Sequence, residues 1–419
     1  MVITFVSNYI NHHQLPFCRA MDALEDVEFH FIQTSPMEEK RLKMGWGVDT
    51  GEFSFVSLFY EEKEKCTDLI LNSDVTILGW SDGVIADIEE KRLSSGKLTF
   101  RMSERIYREG QWKAISPKGL VNKYREHIRY RRNPVYLLCT GAYVASDFAL
   151  IHSYPGKMLK WGYFPNVEAS RDDQNVVDGS ANELGESHNS NLEFASAVRD
   201  KNSLRMLWAG RLITLKHPEY AVEAARVLKE KGYSFTLEII GDGEKRPELE
   251  ALISKYDLGS FVKLYGSKKP SLVAEYMKQA DIFLFTSNYL EGWGAVVNEA
   301  MQSGCAVVAS KEAGAVPFLI EDGVNGLTYE GGSLEDFVEK VCVLFEHKHM
   351  DAELAQNARK TINTLWNADN AARELFRYSA EFLAGNKNPR PSAKGPMSRA
   401  EVIKAPGFMR TLQEKNRLE

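Results

Sequence analysis

The stretch DIFLFTSNYLEGWGAVVNEAMQSGCAVVAS, residues 281–310, decides the fold. An apolar run ends near Ser287. A loop then carries Glu291, Gly292 and Gly294, a helix runs from about Ala295 to Ser303, Gly304 stops it, and AVVAS opens another strand. The strands are apolar throughout rather than alternating, as parallel strands covered on both faces are. Glycine at a strand-to-helix turn lets a ligand approach the backbone closely. The helix start offers unpaired N–H groups and the positive end of the helix dipole, which together suit a diphosphate. Glu299 falls about one turn into that helix, and Glu291 lies on the loop before it, so both can face one crevice at the carboxyl edge of the sheet. Taken alone, the turn reads equally as an ordinary βαβ connection with two solvated glutamates.

The same rhythm extends outward in both directions. Strands are expected at 2–7, 27–33, 53–59, 74–80, 97–102 and 135–140 in the first half. In the second half they are expected at 204–210, 235–241, 262–266, 282–287, 306–310 and 326–329. Helical patterns lie between them, as in PEYAVEAARVLKEKG (218–232), where apolar residues recur at three and four spacings and Gly232 ends the run. Strand–helix alternation predicts a doubly wound α/β sheet, and two sets of strands predict two of them, two Rossmann-like domains facing across a cleft. The chain's 419 residues exceed what a single core usually supports. The expected division is a first domain over 1–168, a polar linker or insertion over 169–202, a second domain over 203–383, and a tail over 384–419 that wraps back on the first domain or stays partly disordered.

WAGRLITLKHPEYAVEAA (208–225) supplies the matching cations. A strand ends at Ala209–Gly210, Arg211 follows, and Lys216 stands just before the helix that Pro218 opens. Alone, these are two solvated loop cations. Beside a second anion-friendly turn they reach the same crevice, where fixed positive charge stabilises a departing diphosphate more than the bound ground state.

These motifs resemble the retaining glycosyltransferases of family 4, which have the GT-B fold, and the resemblance is specific over about 203–383. It implies that Arg211 and Lys216 hold the donor diphosphate, that the backbone of Gly292, Trp293, Gly294, Ala295 and Val296 contacts phosphate and sugar, that Glu291 touches the sugar, and that Glu299 binds the ribose hydroxyls. Gly266, in YGS (265–267), falls where the family contacts the nucleobase. The implied donor is a nucleotide sugar, a UDP-sugar first because it is common in the family, acting as substrate with no cofactor. No metal is expected, since Arg211, Lys216 and the helix start supply the positive charge. VYLLCTGAYVASDFAL (135–150) and KMLKWGYFPNVE (157–168) resemble a subset from bacterial surface-polysaccharide pathways, which implies a glycan or lipid-linked acceptor.

The first domain departs from the family pattern. Its first loop, SNYINHHQLPF (7–17), has no glycine, and Asn11, His12 and His13 read either as capping and surface groups or as donor and acceptor contacts. Ser103 and Glu104 stand where many relatives carry a histidine beside the sugar. Glu104 either orients the donor sugar or acceptor hydroxyl in catalysis with Glu291, Lys216 and Arg211, or caps the next helix, or pairs with Arg101 or Arg105.

A basic segment spans 91–132, interleaved with Trp112, Ile115, Leu120, Val121, Tyr124, Ile128 and Tyr130. It reads as a solvated helix face or as a contact for an anionic membrane surface or a lipid-diphosphate acceptor. The net charge of −6 and the absence of a recognised motif weigh against nucleic acid. Five scattered cysteines, none in a CxxC pair, read as reduced, buried thiols in a cytosolic protein. The first residues lack a signal-peptide pattern, and no apolar run approaches bilayer-spanning length. Any membrane contact would therefore be peripheral. The rival functions are a non-catalytic nucleotide-sugar-binding protein and an epimerase or phosphorylase on the same architecture.

Overall fold

The computed structural model describes residues 1–39, 42, 47–165 and 203–406. The expected linker at 169–202 lies outside the described residues. Two parallel sheets form. The first has β1 (Val2–Ser7), β2 (Glu28–Gln33), β3 (Val56–Leu58), β4 (Val75–Leu78), β5 (Leu98–Ser103), β6 (Val135–Thr140) and β7 (Met158–Trp161), in the order β3-β2-β1-β4-β5-β6-β7. The second has β8 (Leu204–Ala209), β9 (Phe235–Ile240), β10 (Val262–Leu264), β11 (Ile282–Phe285), β12 (Ala306–Ser310) and β13 (Leu327–Tyr329), in the order β10-β9-β8-β11-β12-β13. Each order reverses once, between β1 and β4 and between β8 and β11. In open α/β sheets ligands bind at the carboxyl ends of the two strands that flank such a reversal.

All twelve expected strands are present, their ends matching or shifted by up to three residues. β7 is an addition to them. MLKW alternates half-buried and buried positions, too short a pattern to separate from a loop, and its strand character depends on a distant segment. Ser398 O accepts from Lys160 N at 2.7 Å, and Lys160 O accepts from Met397 N at 2.9 Å. The late chain thus pairs with an otherwise open sheet edge. The helix Ala368–Leu383 also lies on the first sheet's side, with Tyr378 edge-on to Phe100 and Tyr136. One apolar core runs through both units, from Phe5 and Trp161 to Trp293 and Met301.

The basic segment is only partly a surface. Arg92 is fully buried and donates to the carbonyls of Ser73 (2.7 Å) and Leu98 (2.7 Å), closing strand and helix ends that would otherwise be unpaired. Arg105 is buried against Asp147 at 3.2 Å. These two cations are therefore corrected from surface charge to internal ties. All five cysteines are free and buried. Among the described residues no helix is long and apolar enough to cross a membrane.

Candidate active site at the carboxyl edges of the two sheets

The loops after β8 and β11 meet at the second sheet's switch point. The short turn Thr214–Lys216 follows β8, and Lys216 Nζ lies 2.5 Å from Glu291 Oε2. Burial raises the Glu291 carboxyl, but the Lys216 ammonium, the Ser287 hydroxyl and the charge of Arg108 outweigh it and hold it below the usual carboxylate range. Glu291 is therefore an anion at neutral pH, tied to a cation with donors to spare. The Lys216 carbonyl accepts from the Thr286 hydroxyl at 2.5 Å, which in turn accepts from Trp208 Nε1 at 2.8 Å, so the turn is fixed to β11 from below. Arg211 is exposed on the same loop.

The helix after the glycine turn is Val296–Ser303. Ala295 precedes it and no side chain caps it, while Val297 N donates to Gly294 O at 2.9 Å within the turn itself. Gly294 has φ 89°, and an added Cβ would sit 2.7 Å from the Phe285 ring, so this position needs glycine twice over. Trp293 is buried. Its Nε1 donates to Asn298 Oδ1 at 2.9 Å, and its ring fills the space where Gly162 of the first domain lacks a side chain. The indole is thus an anchor between domains. Gly266, just past the end of β10, has φ 69°, and its carbonyl accepts from Gly241 N at 2.9 Å.

The first domain closes over this edge. Glu104 lies on Gly292, where a Cβ would overlap its carboxylate. Glu104 neither caps a helix nor pairs with Arg101 or Arg105. It binds Arg108 Nη2 at 2.9 Å and accepts from Tyr163 Oη at 3.1 Å. Ser103 Oγ donates to the Glu104 carbonyl at 2.7 Å. Asn11 closes the turn before the helix Leu15–Asp22, its Oδ1 accepting from the backbone N–H groups of His13 (3.0 Å) and Gln14 (3.2 Å). That turn presents His13 toward the second domain, and the His12 and His13 ring centroids lie 3.8 Å apart. His13 Nδ1 lies 3.9 Å from Glu299 Oε1. Burial, and then the neighbouring His12, push His13 down to about 3, so this contact is not an ion pair at neutral pH. Glu299 keeps 34% of its side chain open, yet its desolvated position pushes its carboxyl up to about 7.

The structure therefore brings Lys216, Glu291, Gly292, Glu299, His13 and Glu104 to one cleft. Arg108 and Tyr163 complete it, and neither is among the site residues expected from the sequence. Arg108 belongs to no regular element, and Tyr163 reaches Glu104 only once β7 is in place.

Residues 189–361 match the family model described as Glycosyl transferases group 1. The amylovoran biosynthesis glycosyltransferase AmsK of Erwinia amylovora is 33% identical over 190 residues, 44% of this chain and 46% of that protein. The putative colanic acid biosynthesis glycosyltransferase WcaL of Salmonella typhimurium is 34% identical over 128 residues, 29% of this chain and 31% of that protein. The matched region thus spans less than half the length of either relative. The Anabaena protein HepE, solved in complex with UDP, superposes with a TM-score of 0.64 at 16% identity, covering 92% of this chain and 100% of that one, and so shares the two-domain fold.

Proposed function

We propose that this chain, which carries a glycosyl transferases group 1 domain, moves a hexose-type sugar from a nucleotide-diphosphate sugar to a hydroxyl of a glycan or lipid-linked acceptor, with retention of anomeric configuration and without a metal. The setting is bacterial surface-polysaccharide assembly, in keeping with the names of the amylovoran and colanic acid relatives. The observation that carries the reading is the Lys216–Glu291 pair at the switch point, with Glu104 lying on the neighbouring Gly292 and His13 on Glu299. In this reading Arg211, Lys216 and the uncapped helix start receive the charge that grows on the diphosphate as the bond from the anomeric carbon to the phosphate oxygen breaks. The acceptor oxygen bonds to the same face of that carbon and passes its proton to the departing phosphate. Glu291 and Glu104 hold the sugar's hydroxyls, Glu299 the ribose, and the backbone at Gly266 the base. The UDP bound to HepE supports a uridine donor.

Glu299 supplies the test. A carboxyl near 7 in the fold and near 4.3 when exposed binds more protons folded than unfolded, so stability falls as pH climbs from about 4 to 7. Ribose binding needs the carboxylate and moves the opposite way. UDP affinity, measured by calorimetry, is expected to tighten by up to about 30-fold between about pH 5.5 and 8, the change in ionised fraction of a group near 7. The variant Glu299→Gln flattens that profile. A wild-type profile that matches Glu299→Gln would remove Glu299 from the donor site. Incubation with UDP-glucose alone separates one rival: an epimer points to an epimerase, whereas a transferase frees UDP only as it passes the sugar to an acceptor or to water.

The helix Pro117–Glu126 extends the proposal to the acceptor's surroundings. It has no buried residue, and Ile115, Val121 and Tyr124 are exposed beside Lys118 and Arg125. An apolar strip edged by cations suits an anionic bilayer surface. Replacing Leu120, Val121 and Tyr124 with serine is expected to lower binding to phosphatidylglycerol vesicles about tenfold or more, given the apolar area removed. Unchanged binding in a flotation assay would take this helix out of the reading.

A further inference from the structure

The turn that presents Lys216 ends on a residue in a rare conformation. His217 has φ 44° and ψ 52°, the left-handed region that disfavours any side chain with a Cβ. Glycine would make the same turn without strain, so the imidazole has to contribute something the backbone alone does not.

Its contacts show what. His217 Nδ1 lies 3.0 Å from Glu219 Oε1, and Nε2 lies 3.3 Å from Asn288 Nδ2. The Asn288 amide has one orientation, because its Oδ1 accepts from Leu290 N at 3.0 Å and leaves Nδ2 facing the ring as a donor. Nε2 must then accept, the ring is neutral, and the proton sits on Nδ1, donated to Glu219. Asn288 is buried and tied to both functional loops. Its N–H donates to Leu215 O at 2.9 Å, and its carbonyl accepts from Glu291 N at 3.0 Å. The chain Glu219–His217–Asn288 therefore links the turn bearing Lys216 to the loop bearing Glu291, beneath the place where their side chains meet.

We propose that His217 is a positioning residue. Held as the Nδ1–H tautomer between Glu219 and Asn288, it locks the Lys216 turn against the Glu291 loop and fixes the ammonium where a nucleoside diphosphate binds. This rests on the reading of Lys216 as a diphosphate ligand. A loose turn would let Lys216 keep its charge while losing its place, and the affinity it gives would fall with no loss of fold.

Calorimetry on the whole chain with UDP, GDP, ADP and CDP tests this, carrying forward whichever binds most tightly. His217→Gly is expected to change the Tm little, since relief of the positive φ offsets the two lost hydrogen bonds, and to weaken nucleotide binding roughly tenfold, the scale on which a partner that only orients a ligand group acts. Asn288→Ala reproduces the loss, and the double variant loses no more than either single one. In a Lys216→Ala background, His217→Gly changes nothing further, because the group it positions is gone. Wild-type affinity in His217→Gly would overturn the proposal, as would a full additional loss in the Lys216→Ala background. A wild-type protein that binds none of the four nucleotides would refute the diphosphate site itself, and the positioning role with it.

Discussion

Replacing Lys216 by alanine is expected, on the proposed reading, to lower turnover of the nucleotide sugar by about 10²- to 10³-fold, the usual cost of removing one fixed charge or donor aimed at the developing anion. Two effects add. The diphosphate loses a cation that sits at the switch point, anchored through Thr286 and Trp208. Glu291 also loses its partner at 2.5 Å, and burial then acts on its carboxyl with much less opposition. The carboxyl therefore moves up, and part of the population becomes a neutral acid where the sugar meets it. Lys216→Arg separates the two effects. It keeps a charge for Glu291 but replaces a compact ammonium with a wide planar fork that the turn is not shaped to hold, so Glu291 stays ionised while turnover still falls. Steady-state kinetics with UDP-glucose, beside a melting curve, reads this directly. Turnover within a few-fold of wild type in Lys216→Ala would sink the assignment of the leaving-group site, whatever the fold does.

Lys216 and Glu291 are legible in the sequence because of where they lie. Each stands within a few residues of an apolar parallel strand's carboxyl end, and such strands announce themselves by composition alone. The same holds for Gly294 and Glu299, placed by a glycine turn and a helix of known pitch. The features that stay hidden in the sequence depend on contacts between distant segments. β7 is short, and its pairing with Met397 and Ser398 is more than two hundred residues away. Arg92 looks like any other cation of a basic run until the carbonyls it closes are in view. Position in the chain marks Glu104 as a candidate, but its partners Arg108 and Tyr163 come from an irregular loop and from just past the end of β7. Trp293 sits in the motif yet serves the interface, because the space for its indole is provided by Gly162 of the other domain.

Gly314 is the second position where a small change is expected to cost most. Nothing in EAGAVPF marks it, and its φ is not in the left-handed region, so what it needs is room. A Cβ there would collide with the carbonyl oxygen of Gly292 and come within 3.1 Å of Gly141 Cα, and both are backbone. Gly141 follows β6 in the first domain, and Ala142 N donates to Gly314 O at 2.9 Å. Ala315 N likewise donates to Trp293 O at 2.9 Å. Three glycines from two domains therefore meet at the turn proposed to hold the donor, and one methyl group must push at least two of these segments apart. Displacing the 292–294 backbone by about 1 Å is enough to cost about 100-fold in rate. Gly314→Ala is expected to lose about that much turnover and to lower stability by only about 1–3 kcal/mol, the usual cost of overpacking. Gly259→Ala is the control, since an added Cβ there meets nothing within 4 Å. Near-normal turnover in Gly314→Ala would mean that the domains can part by that distance without harm, and that the close glycine contact serves packing rather than the reaction.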